Sequence, residues 1–241
     1  MIKPAVEGTL AVLRAAHKHG VKRVVVTSSC LTITQRKPEN LKAFLTEEDW
    51  SDEDVCAPYD KSKLKAERAA WEFVNSLPEA ERFELVLCLP GLVLGPNIVP
   101  HDFSSQTYLK LMILGLMPGL PNVCFPIVDV RNVAEAHLQA IKVKEAAGVR
   151  FILCSGTYKF KQMCEKLVEK YGDKYPTKTN ELVDCPPENQ RFKNVWGHHY
   201  DLDNSKSTGI LGLKYYDIKD TVVDMAETMI DLGMLPDNRN K

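Results

Sequence analysis

The sequence lacks the features by which several classes of binding protein are recognised. No run of 18 consecutive apolar residues is present, so neither a transmembrane helix nor a membrane partner is expected. The net charge is −1, and Lys and Arg do not cluster with aromatic residues, so nucleic-acid binding is not expected either. The seven cysteines are odd in number and form no C-x-x-C pair. We therefore expect no metal site and predict reduced, mostly buried thiols in a cytoplasmic protein.

The residues that are present follow an alternating pattern of strands and helices. Hydrophobic residues make up 44% of the chain and charged residues 26%, which is typical of a globular protein. Short apolar runs rich in valine and leucine predict buried strands at 23–28, 84–89, 127–128 and 151–153. Apolar residues at helical spacing predict helices at 4–20, 60–76, 104–115, 131–144, 157–171 and 217–232. The alternation predicts an α/β fold built on a parallel sheet.

One of the predicted helices carries a tyrosine and a lysine, Tyr59 and Lys63, four residues apart. Side chains at that spacing share one helix face, with about 5–6 Å between their Cβ atoms. A neighbouring ammonium favours the phenolate, and it therefore lowers the pKa of a tyrosine from its ordinary value near 10. A tyrosine of this kind can exchange a proton with an alcohol or a carbonyl near neutral pH. An isolated copy of the pattern is commonly a solvated helix face, so the neighbouring motifs must decide whether this copy is catalytic.

Two serines, Ser28 and Ser29, follow the valine-rich strand predicted at 23–28. Ligands of open α/β sheets bind beyond the carboxyl ends of the strands. A serine at that point can donate a hydrogen bond to a substrate oxygen. The alternative is that both serines close the strand and satisfy local backbone groups, as serines often do in turns.

These features belong to a longer series of motifs that occur in a fixed order along the chain. The further segments lie at 4–10, 24–29, 46–50, 66–71, 89–96 and 128–137. Together they resemble the extended short-chain dehydrogenase/reductase family, in its branch of dihydroflavonol-reductase-like and 3β-hydroxysteroid-dehydrogenase-like proteins. The resemblance covers nearly the whole chain. It implies an incomplete Rossmann-type parallel sheet with a smaller C-terminal substrate lobe.

The resemblance also implies an activity and the residues that perform it. In this family a hydride passes between the nicotinamide of NADP or NAD and a carbonyl or alcohol carbon of a small-molecule substrate. By resemblance, Tyr59 is the general acid in reduction and the base in oxidation. Lys63 lowers the pKa of Tyr59 and hydrogen-bonds the nicotinamide ribose. Ser29 holds the substrate oxygen, with Ser28 as the alternative because the register at the strand end is open.

Further cofactor contacts are implied for a loop expected at 89–96, in which Pro90 and Val93 pack against the nicotinamide ring. Ser105 lies where this branch approaches the cofactor or the substrate. Asp129 also belongs to a family motif, but an aspartate just before a helix is what N-terminal capping requires. We therefore interpret Asp129 and its neighbours as structural.

One family feature has no counterpart in this sequence. No G-x-x-G-x-x-G motif follows a strand, and the 13 glycines are scattered. We expect the chain to begin within a helix from the middle of the family fold. Since a βαβ unit takes about 30 or more residues, roughly 80–100 residues of that fold are expected to be absent. Without a glycine-rich turn to bind the pyrophosphate, we expect weak binding of NAD(P)H.

The domain organisation and the function follow from these expectations. Residues 1–150 are predicted to form a partial NAD(P)-binding Rossmann domain, with an excursion into the substrate lobe around 95–125, and residues 151–241 to form mainly the substrate lobe. Two functions are open: an NAD(P)-dependent oxidoreductase with a Ser-Tyr-Lys site, or a catalytically inactive fragment or isoform that acts as a binding protein. The substrate could be a small ketone, an aldehyde, or a flavonoid-like or steroid-like carbonyl compound.

Overall fold

A computed structural model of the protein describes residues 1–101, 104–186, 192–193 and 195–239. The helices in these residues are, in chain order, α1 (Ile2–Lys18), α2 (Leu31–Thr34), α3 (Pro58–Ser76), α4 (Ser104–Ile113), α5 (Val130–Lys142), α6 (Phe160–Tyr171), α7 (Ser205–Gly209) and α8 (Ile218–Asp231). The strands are β1 (Arg23–Thr27), β2 (Phe44–Leu45), β3 (Glu84–Pro90), β4 (Leu92–Leu94), β5 (Cys124–Asp129), β6 (Arg150–Leu153), β7 (Gly156–Lys159) and β8 (Asp201–Leu202).

The chain folds into two compact units, each assembled from separated segments. The first unit contains residues 1–91, 133–153 and 202–214. The second contains the described residues of 92–132, 154–201 and 215–241. The assignment of nucleotide binding to residues 1–150 and of substrate binding to 151–241 stays a prediction. Its residues 102–103, 187–191, 194 and 240–241 lie outside the described residues.

A three-stranded parallel sheet in the order β1–β3–β6 forms the centre of the first unit. In β3 the residues from Leu85 to Leu89 are at most 1% exposed, as expected for a strand of a parallel sheet that is covered on both faces. The valines of β1 lie beside β3, with Val25 opposite Val86. The predicted α/β class and parallel sheet are confirmed. Ser28 and Ser29 therefore follow the carboxyl end of β1.

Helix α1 ends as its glycine predicts. The N–H of Val21 donates to the carbonyl of Ala16, and the N–H of Gly20 donates to that of His17, each over 3.0 Å. These two bonds define a Schellman motif, which needs a residue with a positive φ at Gly20. The φ of Gly20 is +66°, a conformation that glycine adopts without steric cost.

A mixed sheet in the order β4–β5–β7 forms the centre of the second unit. Strands β4 and β5 run parallel, whereas β7 is antiparallel to β5. Helices α4, α6 and α8 contribute a contiguous set of buried apolar side chains to this unit, among them Leu109, Met112, Phe160, Met163, Leu167, Val222, Met225 and Met229.

The prediction of one helix over 157–171 is wrong at its beginning. Residues 156–159 form strand β7, and α6 begins only at Phe160. Thr157 and Tyr158 are β-branched and aromatic residues, which suit a strand when a partner is present, and Tyr158 lies opposite Phe125 of β5. The N–H of Lys159 donates to Gln162 Oε1 over 2.8 Å, and this bond marks the true start of the helix.

The prediction of a loop over 89–96 is also wrong in part. Strand β3 extends to Pro90, and residues 92–94 form β4, in which Val93 lies opposite Val128 of β5. The long-range partner strand decides this assignment, because the apolar run by itself is compatible with either conformation.

Candidate functional site

Tyr59 and Lys63 lie on one face of α3, close to its beginning. Pro58 occupies the first turn, where its fixed φ suits a helix and its missing N–H costs nothing. The Lys63 Nζ lies 6.0 Å from the centroid of the Tyr59 ring. Tyr59 is 47% exposed, so its phenol is accessible to a ligand. The helix and the shared face predicted from the spacing are confirmed.

The two serines after β1 have different environments. Ser28 is buried, and its hydroxyl donates to Glu67 Oε2 on α3. Ser29 is partly exposed, and its Oγ accepts the N–H of Leu31 over 3.2 Å. An accepted bond uses a lone pair of the oxygen and not its proton, so the Ser29 hydroxyl keeps a proton to donate to a ligand oxygen. The Ser28 proton is already donated to a buried carboxylate.

The tertiary fold brings Ser29 towards the catalytic-helix candidate. Helix α2 begins two residues after Ser29 and packs against α3. The backbone of this segment is fixed on the sheet, since the N–H of Ser28 donates to the carbonyl of Cys88 (2.7 Å) and that of Cys30 to the carbonyl of Pro90 (2.9 Å). The serines are therefore held by β3 on one side and by α3 on the other.

Glu67, which the sequence analysis did not single out, forms a buried ion pair with Arg150. The carboxylate of Glu67 is fully buried, and its Oε1 accepts a bond from Arg150 Nε over 2.6 Å. Arg150 lies 83 residues further along the chain, at the start of β6. Its guanidinium also stacks on Trp50, 3.8 Å from the ring. We call Ser28, Glu67, Arg150 and Trp50 the Glu67 cluster.

The segment at 46–50 is held against the Glu67 cluster by further bonds. Arg150 Nη1 donates to the backbone carbonyls of Glu47 and Asp49. Glu47 Oε1 accepts the N–H of Ile152 over 3.1 Å. Burial raises the pKa of Glu47 above its ordinary value, and the bond from Ile152 opposes that rise. The segment at 46–50 is therefore bound to the Arg150 side chain and helps to hold it in place.

The remaining predicted site residues lie in different parts of the fold. Pro90 is the buried last residue of β3 in the first unit. Val93 in β4 and Ser105 in the first turn of α4 are partly exposed residues of the second unit. Their predicted contacts with a nicotinamide cofactor stay predictions.

Asp129 forms a second buried cluster, in the second unit. Its Oδ1 accepts the N–H of Arg131 over 2.8 Å, which caps α5, and its Oδ2 accepts the hydroxyl of Thr221 over 2.9 Å. The Arg131 side chain forms an ion pair with Asp129 (2.7 Å) and lies 3.8 Å from the ring of Tyr216. We call Asp129, Arg131, Thr221 and Tyr216 the Asp129 cluster. Its capping bond is the one that the sequence predicts.

The ionisation of Asp129 reflects two opposing effects. Burial works to raise the pKa of Asp129, but the hydrogen bonds from Arg131 and Thr221 outweigh it and hold the pKa below its ordinary value. The carboxylate is therefore charged at neutral pH and is used in structure. His137, four residues after Val133, is also used in structure: its Nδ1 lies 2.8 Å from the Val133 carbonyl and its Nε2 2.7 Å from Thr27 Oγ1.

The first unit therefore presents an accessible phenol with an ammonium beside it and a serine hydroxyl at a strand end. Such a set can donate a proton to a carbonyl oxygen and can hold that oxygen by a second hydrogen bond. The seven cysteines all lie within the described residues and form no disulfide bond, and burial raises the pKa of Cys88 to about 12. Within the described ranges, no group of three or more His, Cys, Asp or Glu side chains is arranged to bind a metal ion. No helix in that part of the chain combines the length and the apolar character needed to span a membrane.

Known proteins match this chain over most of its length. The NADPH-dependent methylglyoxal reductase GRE2 of Saccharomyces cerevisiae is 30% identical over 95% of the chain and 70% of the yeast protein. Tetraketide alpha-pyrone reductase 1 of Arabidopsis thaliana is 31% identical over 98% of the chain and 68% of the plant protein. The crystal structure of yeast methylglyoxal/isovaleraldehyde reductase Gre2 complexed with NADPH superposes with a TM-score of 0.78 at 28% identity, over 97% of this chain and 72% of that one.

The model of the 3-beta hydroxysteroid dehydrogenase/isomerase family matches residues 1–180, which is most of the chain. This match agrees with the α/β fold, the parallel sheet and the order of the motifs. The chain therefore belongs to the 3-beta hydroxysteroid dehydrogenase/isomerase family, in the dihydroflavonol-reductase-like branch of the extended short-chain dehydrogenases/reductases, which are NAD(P)-dependent oxidoreductases.

Proposed function

We propose that this protein reduces a carbonyl group of a small molecule with NADPH, using Tyr59, Lys63 and Ser29. The observation that carries the proposal is the accessible Tyr59 phenol with the Lys63 ammonium 6.0 Å from its ring. The similarity to reductases, one of them a structure that contains NADPH, supports the reaction type and the cofactor.

Each residue has one task in the proposed reaction. Bound NADPH supplies the hydride. Tyr59 donates its phenolic proton to the oxygen that becomes the alcohol, because its hydroxyl is the accessible acid of the set. The positive charge of Lys63 stabilises the phenolate that remains. Ser29 donates a hydrogen bond to the same substrate oxygen and orients the carbonyl carbon.

Ser29 is preferred over Ser28 for that task because of their hydrogen bonds. The Ser28 hydroxyl is buried and donates to Glu67. A substrate oxygen could reach Ser28 only if this bond were broken and a buried carboxylate lost a donor, which is costly. The Ser29 Oγ accepts a hydrogen bond from a backbone N–H, so its hydroxyl could donate to a substrate oxygen without breaking that bond.

The fit of NADPH to this chain differs between the two ends of the cofactor. On the nicotinamide side, we expect Lys63 and Tyr59 to hydrogen-bond a ribose hydroxyl, since the ammonium is a donor and Tyr59 is exposed. The pyrophosphate of a dinucleotide is normally bound by a glycine-rich turn at a helix N-terminus, and the sequence contains no G-x-x-G-x-x-G motif. We expect calorimetric titration of this chain with NADPH to show weaker binding than the yeast methylglyoxal reductase shows.

The proposal is tested by NADPH-dependent reduction of methylglyoxal, with Tyr59→Phe and Ser29→Ala as variants. Tyr59→Phe removes one hydroxyl without changing the helix, and we expect it to abolish turnover, whereas Ser29→Ala should lower kcat. Tyr216→Phe, in the Asp129 cluster, is a control for the loss of a tyrosine hydroxyl elsewhere. Turnover by Tyr59→Phe at the rate of the unchanged chain would disprove the assignment.

A second function is that of a binding protein without catalysis, and it rests on the finding that these 241 residues contain no G-x-x-G-x-x-G motif. In that case the unchanged chain would bind NADPH poorly and would not reduce methylglyoxal or a panel of other ketones and aldehydes. The same assay therefore separates the two functions.

A further inference from the structure

Two members of the Glu67 cluster, Glu67 and Arg150, are connected to the Ser28–Ser29 segment by two separate routes. On one side, Glu67 Oε2 accepts the hydroxyl of Ser28, the neighbour of Ser29. Glu67 lies one helical turn after Lys63 on α3. The carboxylate therefore connects the helix that carries Tyr59 and Lys63 directly to the strand end that carries Ser29.

On the other side, the contact to Ser29 passes through Thr32. The Thr32 hydroxyl donates to the carbonyl of Ser29 over 2.9 Å, and the Thr32 N–H donates to the same oxygen over 3.0 Å. Arg150 Nη2 in turn donates to Thr32 Oγ1 over 3.3 Å. Glu67 and Arg150 bind each other, so the contacts form a closed ring of which the Ser28–Ser29 backbone is one part.

We infer that Glu67 and Arg150 are positioning residues, which hold Ser29 in place relative to Tyr59 on α3. This inference rests on the proposed function for its consequence in catalysis. Neither residue needs to touch the substrate or the cofactor. Glu67 acts through Ser28, and Arg150 acts through Thr32.

The chemistry of the pair suits positioning better than it suits stability. A buried ion pair contributes little net stability compared with apolar residues of similar volume, because both charges lose their hydration. Its hydrogen bonds are directional and short, and a fully satisfied buried network holds its members in one arrangement. Reaction rates depend steeply on such placement, since a shift of about 1 Å can cost up to about 100-fold.

The experiment compares Glu67→Gln with Glu84→Gln. Glu67→Gln keeps the size of the side chain but removes the charge that holds both Ser28 and Arg150. Glu84→Gln is the control, because Glu84 also pairs with an arginine, Arg23 Nε at 2.6 Å. Glu84 is the first residue of β3, whereas the Ser28–Ser29 segment is bound near the last residues of that strand. Methylglyoxal reduction is measured for kcat and KM, and the free energy of unfolding is measured for both variants.

A second readout does not depend on turnover. The chain is labelled with fluorotyrosine, and the fluorine NMR signal of Tyr59 is assigned by its loss in Tyr59→Phe. For Glu67→Gln we expect the Tyr59 signal to shift or broaden, and kcat to fall about tenfold or more with KM changed less than about twofold. For Glu84→Gln we expect neither change.

The possible results separate the inference from the proposed function. An unchanged Tyr59 signal and an unchanged kcat in Glu67→Gln, with only stability lowered, would overturn the inference and leave the proposed function intact. Absence of turnover in the unchanged chain would reject the proposed function. In that case the fluorine signal decides alone: a shift in Glu67→Gln but not in Glu84→Gln supports positioning, and no shift overturns it.

Ser28→Ala is the second variant, for use if Glu67→Gln does not fold. It removes one hydroxyl and leaves the ion pair whole, so the protein should remain folded. We expect the same direction of change in kcat and in the Tyr59 signal, with a smaller size. A Ser28→Ala protein identical to the unchanged chain in both readouts would overturn the inference.

Discussion

The Glu67 cluster and the Asp129 cluster are built from the same parts. In each, a fully buried carboxylate pairs with an arginine, the arginine stacks 3.8 Å from an aromatic ring, and a hydroxyl donates to the carboxylate. They differ in sequence range and in exposure. Asp129 and Arg131 are two residues apart, and the Arg131 side chain is 32% exposed, whereas Glu67 and Arg150 are 83 residues apart and the Arg150 side chain is 9% exposed.

This difference separates a carboxylate–arginine pair that is local in sequence from one that only the tertiary fold brings together. The bonds between Asp129 and Arg131 begin as a helix cap and need only the start of α5, and Thr221 and Tyr216 then join this pair from a distant part of the chain. The Glu67 cluster exists only when α3, β6 and the segment at 46–50 have come together, and it then holds the proposed catalytic segment. We expect the two clusters to respond differently to substitution.

The largest expected effect is that of Arg150→Met. The change leaves the Glu67 carboxylate buried without its cation, which typically costs about 3–5 kcal/mol of unfolding free energy. The double variant Glu67→Met/Arg150→Met removes both charges and should regain most of that loss. Urea unfolding of the two proteins measures it. Equal destabilisation of the single and double variants would show that packing, not the unpaired charge, is responsible.

The next effect is that of Gly95→Ala, which tests the space around Asp129. Gly95 has a φ of +118°, and an added Cβ would lie 3.0 Å from Asp129 Oδ1. We expect a loss of about 2–3 kcal/mol from strain and crowding together. Gly148→Ala is the control, because its φ of +73° is also positive but its Cβ would meet nothing within 4 Å. Equal losses in the two variants would mean that Asp129 is not crowded.

Arg131→Met should cost less than Arg150→Met, about 1–2 kcal/mol. Arg131 is partly exposed, and Asp129 keeps both the backbone N–H at residue 131 and the Thr221 hydroxyl as donors. Thermal or urea unfolding under the conditions used for Arg150→Met gives the comparison. A loss as large as that of Arg150→Met would contradict the distinction between the local Asp129–Arg131 pair and the tertiary Glu67–Arg150 pair.

The smallest effects are expected in the pH dependence of stability, where two carboxyl groups act with opposite signs. Burial raises the pKa of Asp129, but the bonds from Arg131 and Thr221 outweigh it and leave the pKa lowered. The contribution of Asp129 to stability is therefore present above the unfolded pKa of about 3.9 and is lost as pH falls through the folded pKa. Burial leaves the pKa of Glu47 raised, so its contribution is present below the unfolded pKa of about 4.3 and is lost as pH rises through the folded pKa.

Urea unfolding from about pH 3 to pH 7 distinguishes the two signs. The advantage of the unchanged chain over Asp129→Asn should shrink as pH falls below about 4. Its advantage over Glu47→Gln should shrink as pH rises above about 4. Parallel curves for the unchanged chain and either variant would contradict the corresponding pKa shift.

Several parts of the molecule could be predicted from the sequence because they depend on nearby residues. The shared face of Tyr59 and Lys63 follows from helical geometry, and the Gly20 turn follows from the freedom of glycine at positive φ. The Asp129 cap follows from the preference of helix starts for aspartate. In each case the interacting groups lie within about one or two helical turns of one another.

Other parts could not be predicted, because their partners are distant along the chain. Thr157 and Tyr158 form a strand only because β5 is beside them, and residues 92–94 form a strand for the same reason. The periodicity of the sequence is compatible with a helix or a loop at these places. Glu67 gives no local signal at all, since a glutamate on a helix is normally solvated.

The sequence by itself therefore determined the α/β class, the catalytic-helix motif and the family resemblance, since these depend on local spacing and on the order of segments. Only the tertiary structure shows that the hydroxyls of Ser28 and Ser29 have different partners, on which the proposed role of Ser29 rests. The difference lies in Glu67, whose carboxylate on another element accepts the hydrogen bond from Ser28 and pairs with an arginine 83 residues away. A hydrogen bond between side chains depends on distances in space, and those exist only once the strands and helices have packed.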